Sequence, residues 1–130
     1  MQSDERHLTK YELADVLGVS ADVVQKWTSS DVIPPQFFSR YKGAGAGYYY
    51  TPAAVAFGEL LLELGQLLGS TSKLPRLLAR QAVPSIVAAW ERPTEPRTLA
   101  LCHEHVALLL PLSCVARAKH KLETLEAQPA

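Results

Sequence analysis

Residues 9–35 read TKYELADVLGVSADVVQKWTSSDVIPP, and the helix starts and stops written into them decide the fold. Thr9 stands three residues before Glu12. In that spacing a hydroxyl accepts from the third helical amide while the carboxylate accepts from the cap amide, so a helix begins at about Lys10. Leu13, Val16 and Leu17 follow at helical spacing, with Leu8 before the cap to staple the entry. Gly18 ends the helix, because glycine takes the left-handed conformation without penalty. Ser20 caps a second helix whose buried side is Val23, Val24 and Trp27. Two short helices joined by Gly18-Val19-Ser20 form a helix-turn-helix pattern; a plain α-hairpin is the alternative reading.

Ala21, Asp22, Gln25, Lys26 and Ser29 face away from that buried side. These residue types suit a duplex. Lys26 can meet a phosphate, Gln25 can pair bidentately with adenine in the major groove, and Thr28 and Ser29 can add hydroxyl contacts. Ser20 and Ala21 lead the same helix into the groove. Asp22 repels phosphate and belongs at the helix N-terminus, near the backbone amides. The competing reading of this face is a solvated polar surface.

Val32-Ile33-Pro34-Pro35 stops the second helix, since a residue before proline avoids the α region. Residues 37–50, FFSRYKGAGAGYYY, set aromatic segments on either side of a glycine tip and read as a β-hairpin. Arg40 and Lys42 sit at its base, and Gly45 and Tyr48 complete the surface it would lay along a nucleic-acid backbone. The glycine run lacks the lysine and threonine of a P-loop, so no nucleotide site is expected. Residues 51–68, TPAAVAFGELLLELGQLL, then open on a Thr51 cap with proline in the first helical position. Phe57, Leu60, Leu61, Leu64, Leu67 and Leu68 recur at helical spacing, with Val55 and Leu62 as a second apolar edge. A helix apolar over more than one face is deeply buried or packs on a partner, and Phe57, Leu61, Leu64 and Leu68 are the expected dimerisation residues.

The second half is less explicit. Leu74, Leu77 and Leu78 with Arg76 and Arg80 predict a short amphipathic helix, and Pro84 starts another through Ile86, Val87 and Trp90. Residues 92–97 (RPTEPR) read as a linker. Leu99 and Leu101, then Val106, Leu108, Leu110 and Leu112, alternate as two strands joined at His103-Glu104-His105, although a helix broken at Pro111 also fits. A last helix from about Ser113 carries Val115, Ala118, Leu122 and Leu125, and residues 121–130 are expected to fray. Cys102-His103-Glu104-His105 offers zinc-ligand chemistry, but its spacing matches no common zinc motif and neighbours on a strand face opposite ways. No metal, cofactor or catalytic set is expected, and the chain does not read as an enzyme.

Composition narrows the class. With 48% hydrophobic and 20% charged residues in a chain of 130, a globular protein is expected. No apolar run reaches the length of a membrane span, and the charged N-terminus is not a signal peptide, so the expected location is the cytoplasm. Two cysteines there imply free thiols. Net charge is zero, and residues 1–58 hold five Lys or Arg against six Asp or Glu. DNA binding must therefore depend on where the cations point rather than on bulk charge.

Leu13-Ala14-Asp15-Val16-Leu17-Gly18-Val19-Ser20 resembles the first helix and turn of MerR-type regulators and the related excisionase-like domains. Val24-Gln25-Lys26-Trp27 resembles their recognition helix, Val32-Ile33-Pro34 the exit into the wing, and Gly47-Tyr48-Tyr49-Tyr50-Thr51-Pro52 the closing strand and next helix. The resemblance covers about half the chain. Gln25 stands where many MerR-type members have arginine, and Lys26 leans toward the excisionase-like branch; Tyr48 stands where a basic residue is common. The resemblance implies a winged helix-turn-helix at 1–68, a mainly α fold with small β-hairpins, and an α+β region at 69–130 for dimerisation or effector binding. It implies a bacterial or phage-encoded, nucleoid-associated protein that binds double-stranded DNA as a homodimer, most simply a transcriptional regulator. Excisionase-like or terminase-like accessory roles, or a protein-interaction module that keeps the scaffold and takes a protein partner, are the alternatives.

Overall fold

The computed structural model describes residues 7–40, 47–69, 73–92 and 98–127. Among them the chain is mainly helical, with six α-helices and two two-stranded antiparallel hairpins. Helix α1 spans Lys10–Leu17 and α2 Ala21–Ser29; strands β1 (Phe38–Arg40) and β2 (Tyr48–Tyr50) pair next; α3 is Ala53–Leu68. Helices α4 (Lys73–Gln81) and α5 (Val83–Glu91), strands β3 (Thr98–His103) and β4 (Val106–Pro111), and α6 (Cys114–Ala127) follow.

The helix boundaries are those the side chains dictate. The Glu12 amide donates to Thr9 Oγ1 at 3.2 Å and the Thr9 amide to Glu12 Oε1 at 3.0 Å, so both halves of the capping box are made. Gly18 adopts φ 76°, and its amide closes the last turn of α1 on the Ala14 carbonyl. The Ser20 hydroxyl accepts from the Val23 amide. Thr51 behaves otherwise than expected. Its carbonyl takes the Ala54 amide at 2.9 Å, but its hydroxyl caps nothing and has no partner among the described residues. Pro52 is already in helical geometry, so the first turn of α3 is set by the backbone alone.

Helix α3 is the axle of the molecule. It packs against α1 on one side and α4, α5 and α6 on others. Gly58 is the point of closest approach to α1, where a Cβ would lie 2.5 Å from Leu17 Cδ1. The expected dimer face is corrected here: Phe57, Leu61 and Leu64 are buried within this chain, and Leu68 is half-buried against the same core. A helix apolar nearly all round is satisfied by its own chain, because both halves wrap it. One buried cluster runs from Leu8 through Phe57 and Ile86 to Leu101 and Ala118. Each fully buried Leu, Val or Phe in it contributes about 1.5–3 kcal/mol.

Helix α6 is fixed on α3 by charge as well as by apolar contact. Glu59 is only 8% exposed, yet it accepts from Arg117 Nε at 3.2 Å and Lys121 Nζ at 2.5 Å. Arg117 also reaches Glu63 at 2.9 Å and Ser113 Oγ at 2.7 Å. Partial burial disfavours the charged guanidinium, but its bonds to Glu63 and Glu59 outweigh that and raise its pKa. Because Lys121 takes part, the helix continues to Ala127 rather than fraying from 121.

Of the two readings of residues 98–112 the hairpin is correct. Thr98 pairs with Pro111 and His103 with Val106 around the two-residue turn Glu104-His105. Leu99 and Leu101 enter the core, so the apolar alternation follows the buried face of the hairpin.

Candidate nucleic-acid interface

The helical period of α2 sorts its residues. Val24, Trp27 and Thr28 are buried, Asp22, Lys26 and Ser29 are exposed, and Ala21 and Gln25 are half-buried at the boundary. Ser20, exposed, heads the same edge. Five of the expected contact residues, Ser20, Ala21, Gln25, Lys26 and Ser29, therefore share one surface strip. Thr28 does not, and its assignment as a surface contact is corrected. Its hydroxyl donates to the Val24 carbonyl at 2.9 Å and lies 2.6 Å from the buried Tyr50 hydroxyl. The single Thr28 hydrogen is committed to Val24, so Tyr50 is the donor in the shorter bond. Burial raises the Tyr50 pKa, with Tyr48 adding to it.

That bond ties α2 to the hairpin. Leu8 and Tyr50 also exchange two backbone hydrogen bonds of 2.8 Å, which anchors β2 beside the start of α1. Two residues back along β2, about 7 Å away, Tyr48 pairs with Arg40 in the strand register. The guanidinium of Arg40 lies over the Tyr48 ring at 5.9 Å, and Phe38 meets that ring edge-on at 5.1 Å. Arg40 is exposed, so this stacking orients a cation without removing it from water. Phe37, expected in a strand, instead belongs to a single 3-10 turn at Pro35–Phe37 and packs against Phe57 with the rings tilted by 45°. Lys42 and Gly45 lie outside the described residues.

Two features of this surface depend on tertiary packing and have no local signal. Lys10 Nζ donates to Gln25 Oε1 at 3.3 Å, which brings a cation of α1 onto the α2 strip and orients the amide. Arg80 of α4 donates to the Asp31 carbonyl and sits 3.3 Å from its carboxylate. Asp31 is at φ 65°, just past the end of α2, and one of the six N-terminal acids is thus matched by a cation from the second half. Arg76, one turn before Arg80, is exposed.

The cysteine and histidine residues do not assemble. Cys102 is exposed and Cys114 buried, and among the described residues no three His, Cys, Asp or Glu side chains could hold a metal ion. Burial pushes the Cys114 thiol up to about 12. Among the described residues no helix is long and apolar enough to cross a membrane. Comparison with protein-family models finds no match, and comparison with curated proteins finds none similar in sequence.

Proposed function

We propose that the chain is a sequence-specific double-stranded DNA-binding protein of winged helix-turn-helix type, acting as a transcriptional regulator. Helix α2 enters the major groove, and the β1–β2 hairpin lies on the adjoining backbone. The observation that carries this reading is the construction of α2. One face is locked to the core by Val24, Trp27 and the Thr28–Tyr50 bond, while short or polar residues Ser20, Ala21, Gln25, Lys26 and Ser29 line the other, with Asp22 in its first turn. A rigid helix with small residues leading and an amide and an ammonium behind suits base-edge and phosphate contact. Lys10 and Arg40 add cations around it and Arg80 offsets Asp31, which answers the neutral net charge by position rather than by number.

The test is duplex binding by fluorescence anisotropy across a salt series. Affinity falls linearly in log–log form with salt, and Lys26→Glu with Arg40→Glu reduces the magnitude of the slope by about 2, one per phosphate contact. A slope unchanged by both substitutions would remove this face from the account. A second reading, a protein-interaction module on the same scaffold, draws on the 67% exposure of Tyr11 beside Lys10. It predicts no duplex binding at low salt and a partner lost on Tyr11→Ala.

A further inference from the structure

The β3–β4 hairpin has two edges, and the chain treats them differently. On β3, the Gln81 side chain of α4 takes both backbone groups of Cys102. Its amide nitrogen donates to the Cys102 carbonyl at 2.6 Å, and its oxygen accepts the Cys102 amide at 3.1 Å. Cys102 therefore points its backbone away from β4. Alternation then fixes every other residue: Leu99, Leu101 and His103 bond across to Leu110, Leu108 and Val106, while Ala107 and Leu109 direct their N–H and C=O groups outward from β4. No comparable amide covers that edge among the described residues. Ala107, Leu109 and Pro111 are exposed there, Leu109 by 75%. Strands β3 and β4 carry no Asp, Glu, Lys or Arg. The charges, bulges and early prolines that normally protect an edge are missing until Pro111.

We infer that β4 is a self-pairing edge, and that two copies of this chain join β4 to β4 antiparallel into one four-stranded sheet. The register follows from the residues. A two-fold axis at Leu108 sets Ala107 opposite the second copy's Leu109 and Leu109 opposite the second copy's Ala107. Both pairs are of the hydrogen-bonded type, so four N–H···O bonds form and every outward group of Ala107 and Leu109 is used. On the outer face the large exposed Leu109 lies over a small Ala107, and on the inner face Leu101 and Leu108 of both copies form one apolar row. Shifting the axis to Leu109 would set Pro111, which has no N–H, against the second copy's Ala107 and leave that carbonyl without a donor. An edge without charge lets identical copies meet without like-charge repulsion. Both copies use the same strand, so the two-fold contact closes at two, and Gln81 occupies the outward groups of Cys102 near the end of β3. This inference does not rest on DNA binding, and it relocates the dimer contact from the buried α3 to β4.

The experiment is sedimentation velocity on the full chain from roughly 10 µM to roughly 500 µM, a range suited to a small interface. Residue-resolved amide exchange at both ends of that range accompanies it. Wild type passes from the 14.2 kDa monomer to a dimer as concentration rises. The Ala107 and Leu109 amides slow with it, while that of Ala100 on the far strand does not. Leu109→Lys, at an exposed side chain, weakens the dimer at least tenfold. Ala107→Pro, which deletes an outward donor, does the same, and Leu109→Lys alone decides if the proline variant fails to fold. A monomer throughout the range would overturn the inference. So would a dimer that survives Leu109→Lys with the Ala107 and Leu109 amides still exchanging freely.

Discussion

Replacing Thr28 with valine keeps the shape of the side chain and deletes one oxygen. That oxygen accepts the Tyr50 hydroxyl at 2.6 Å and donates to Val24 at 2.9 Å. The Val24 carbonyl keeps its helical bond, but the Tyr50 hydroxyl, in a residue with no exposure, is left without an acceptor. An unsatisfied buried donor costs about 1–3 kcal/mol. Taking about 2 kcal/mol, Tm falls by roughly 7 °C for a chain of this size. Tyr50→Phe costs less, about 1 kcal/mol, because Thr28 still donates to Val24. In the double variant no hydroxyl is stranded, so its loss is smaller than the sum of the singles by about 1 kcal/mol or more. Urea unfolding followed by Trp27 and Trp90 fluorescence measures all four corners of the cycle, and anisotropy below the melting range measures duplex affinity, expected to change little in Thr28→Val. Wild-type stability in that variant, or a tenfold loss of affinity without loss of stability, would refute the argument and return Thr28 to the surface.

Three other outcomes are expected. Arg117→Ala strands Glu63 and leaves the buried Glu59 with Lys121 alone, and should cost about 2–3 kcal/mol in urea unfolding; Arg117→Lys recovers only part, since one ammonium cannot span Glu59, Glu63 and Ser113 together. Glu104 is the first turn residue of the β3–β4 hairpin and holds φ 52° without being glycine, so Glu104→Gly should raise stability by about 1 kcal/mol, read as a higher Tm. The buried Cys114 thiol ionises at about 12 in the folded chain against 9.0 for the free group. Its contribution is therefore intact below pH 9 and is lost as pH rises toward 12, because the unfolded chain releases the proton first. Between pH 8 and pH 10 wild type should lose about 1 kcal/mol more than Cys114→Ala, and parallel losses in urea unfolding would count against that burial.

Much of this fold could be read from neighbouring residues because its determinants are local. Thr9 with Glu12, Gly18, and Ser20 each act within one helical turn, so their roles needed no tertiary knowledge. Strict alternation from Leu99 to Leu110 likewise encodes a hairpin, because period two places one face in the core. Thr28 was legible too. It stands four residues after Val24 and one after Trp27, on the buried side of the helical wheel, but its hydroxyl suggests a polar contact. The sequence alone could not show what covers α3, since Arg117 meets Glu59 across 58 positions. The same holds for Lys10 on Gln25 and Arg80 on Asp31, whose pairing depends on how helices cross. Charge counted over the first half alone therefore missed the cation that offsets Asp31.

The central claim is that the outer strip of α2 reads base sequence. Its most direct measurement is selection of bound sites from random duplexes, run in parallel with wild type and with Gln25→Ala. Wild type should enrich one short motif, and Gln25→Ala should relax the preference for adenine at one position while leaving the rest, since a bidentate amide–adenine pair discriminates by about 1–3 kcal/mol. No enriched motif with wild type, or an identical motif with Gln25→Ala, would contradict the account.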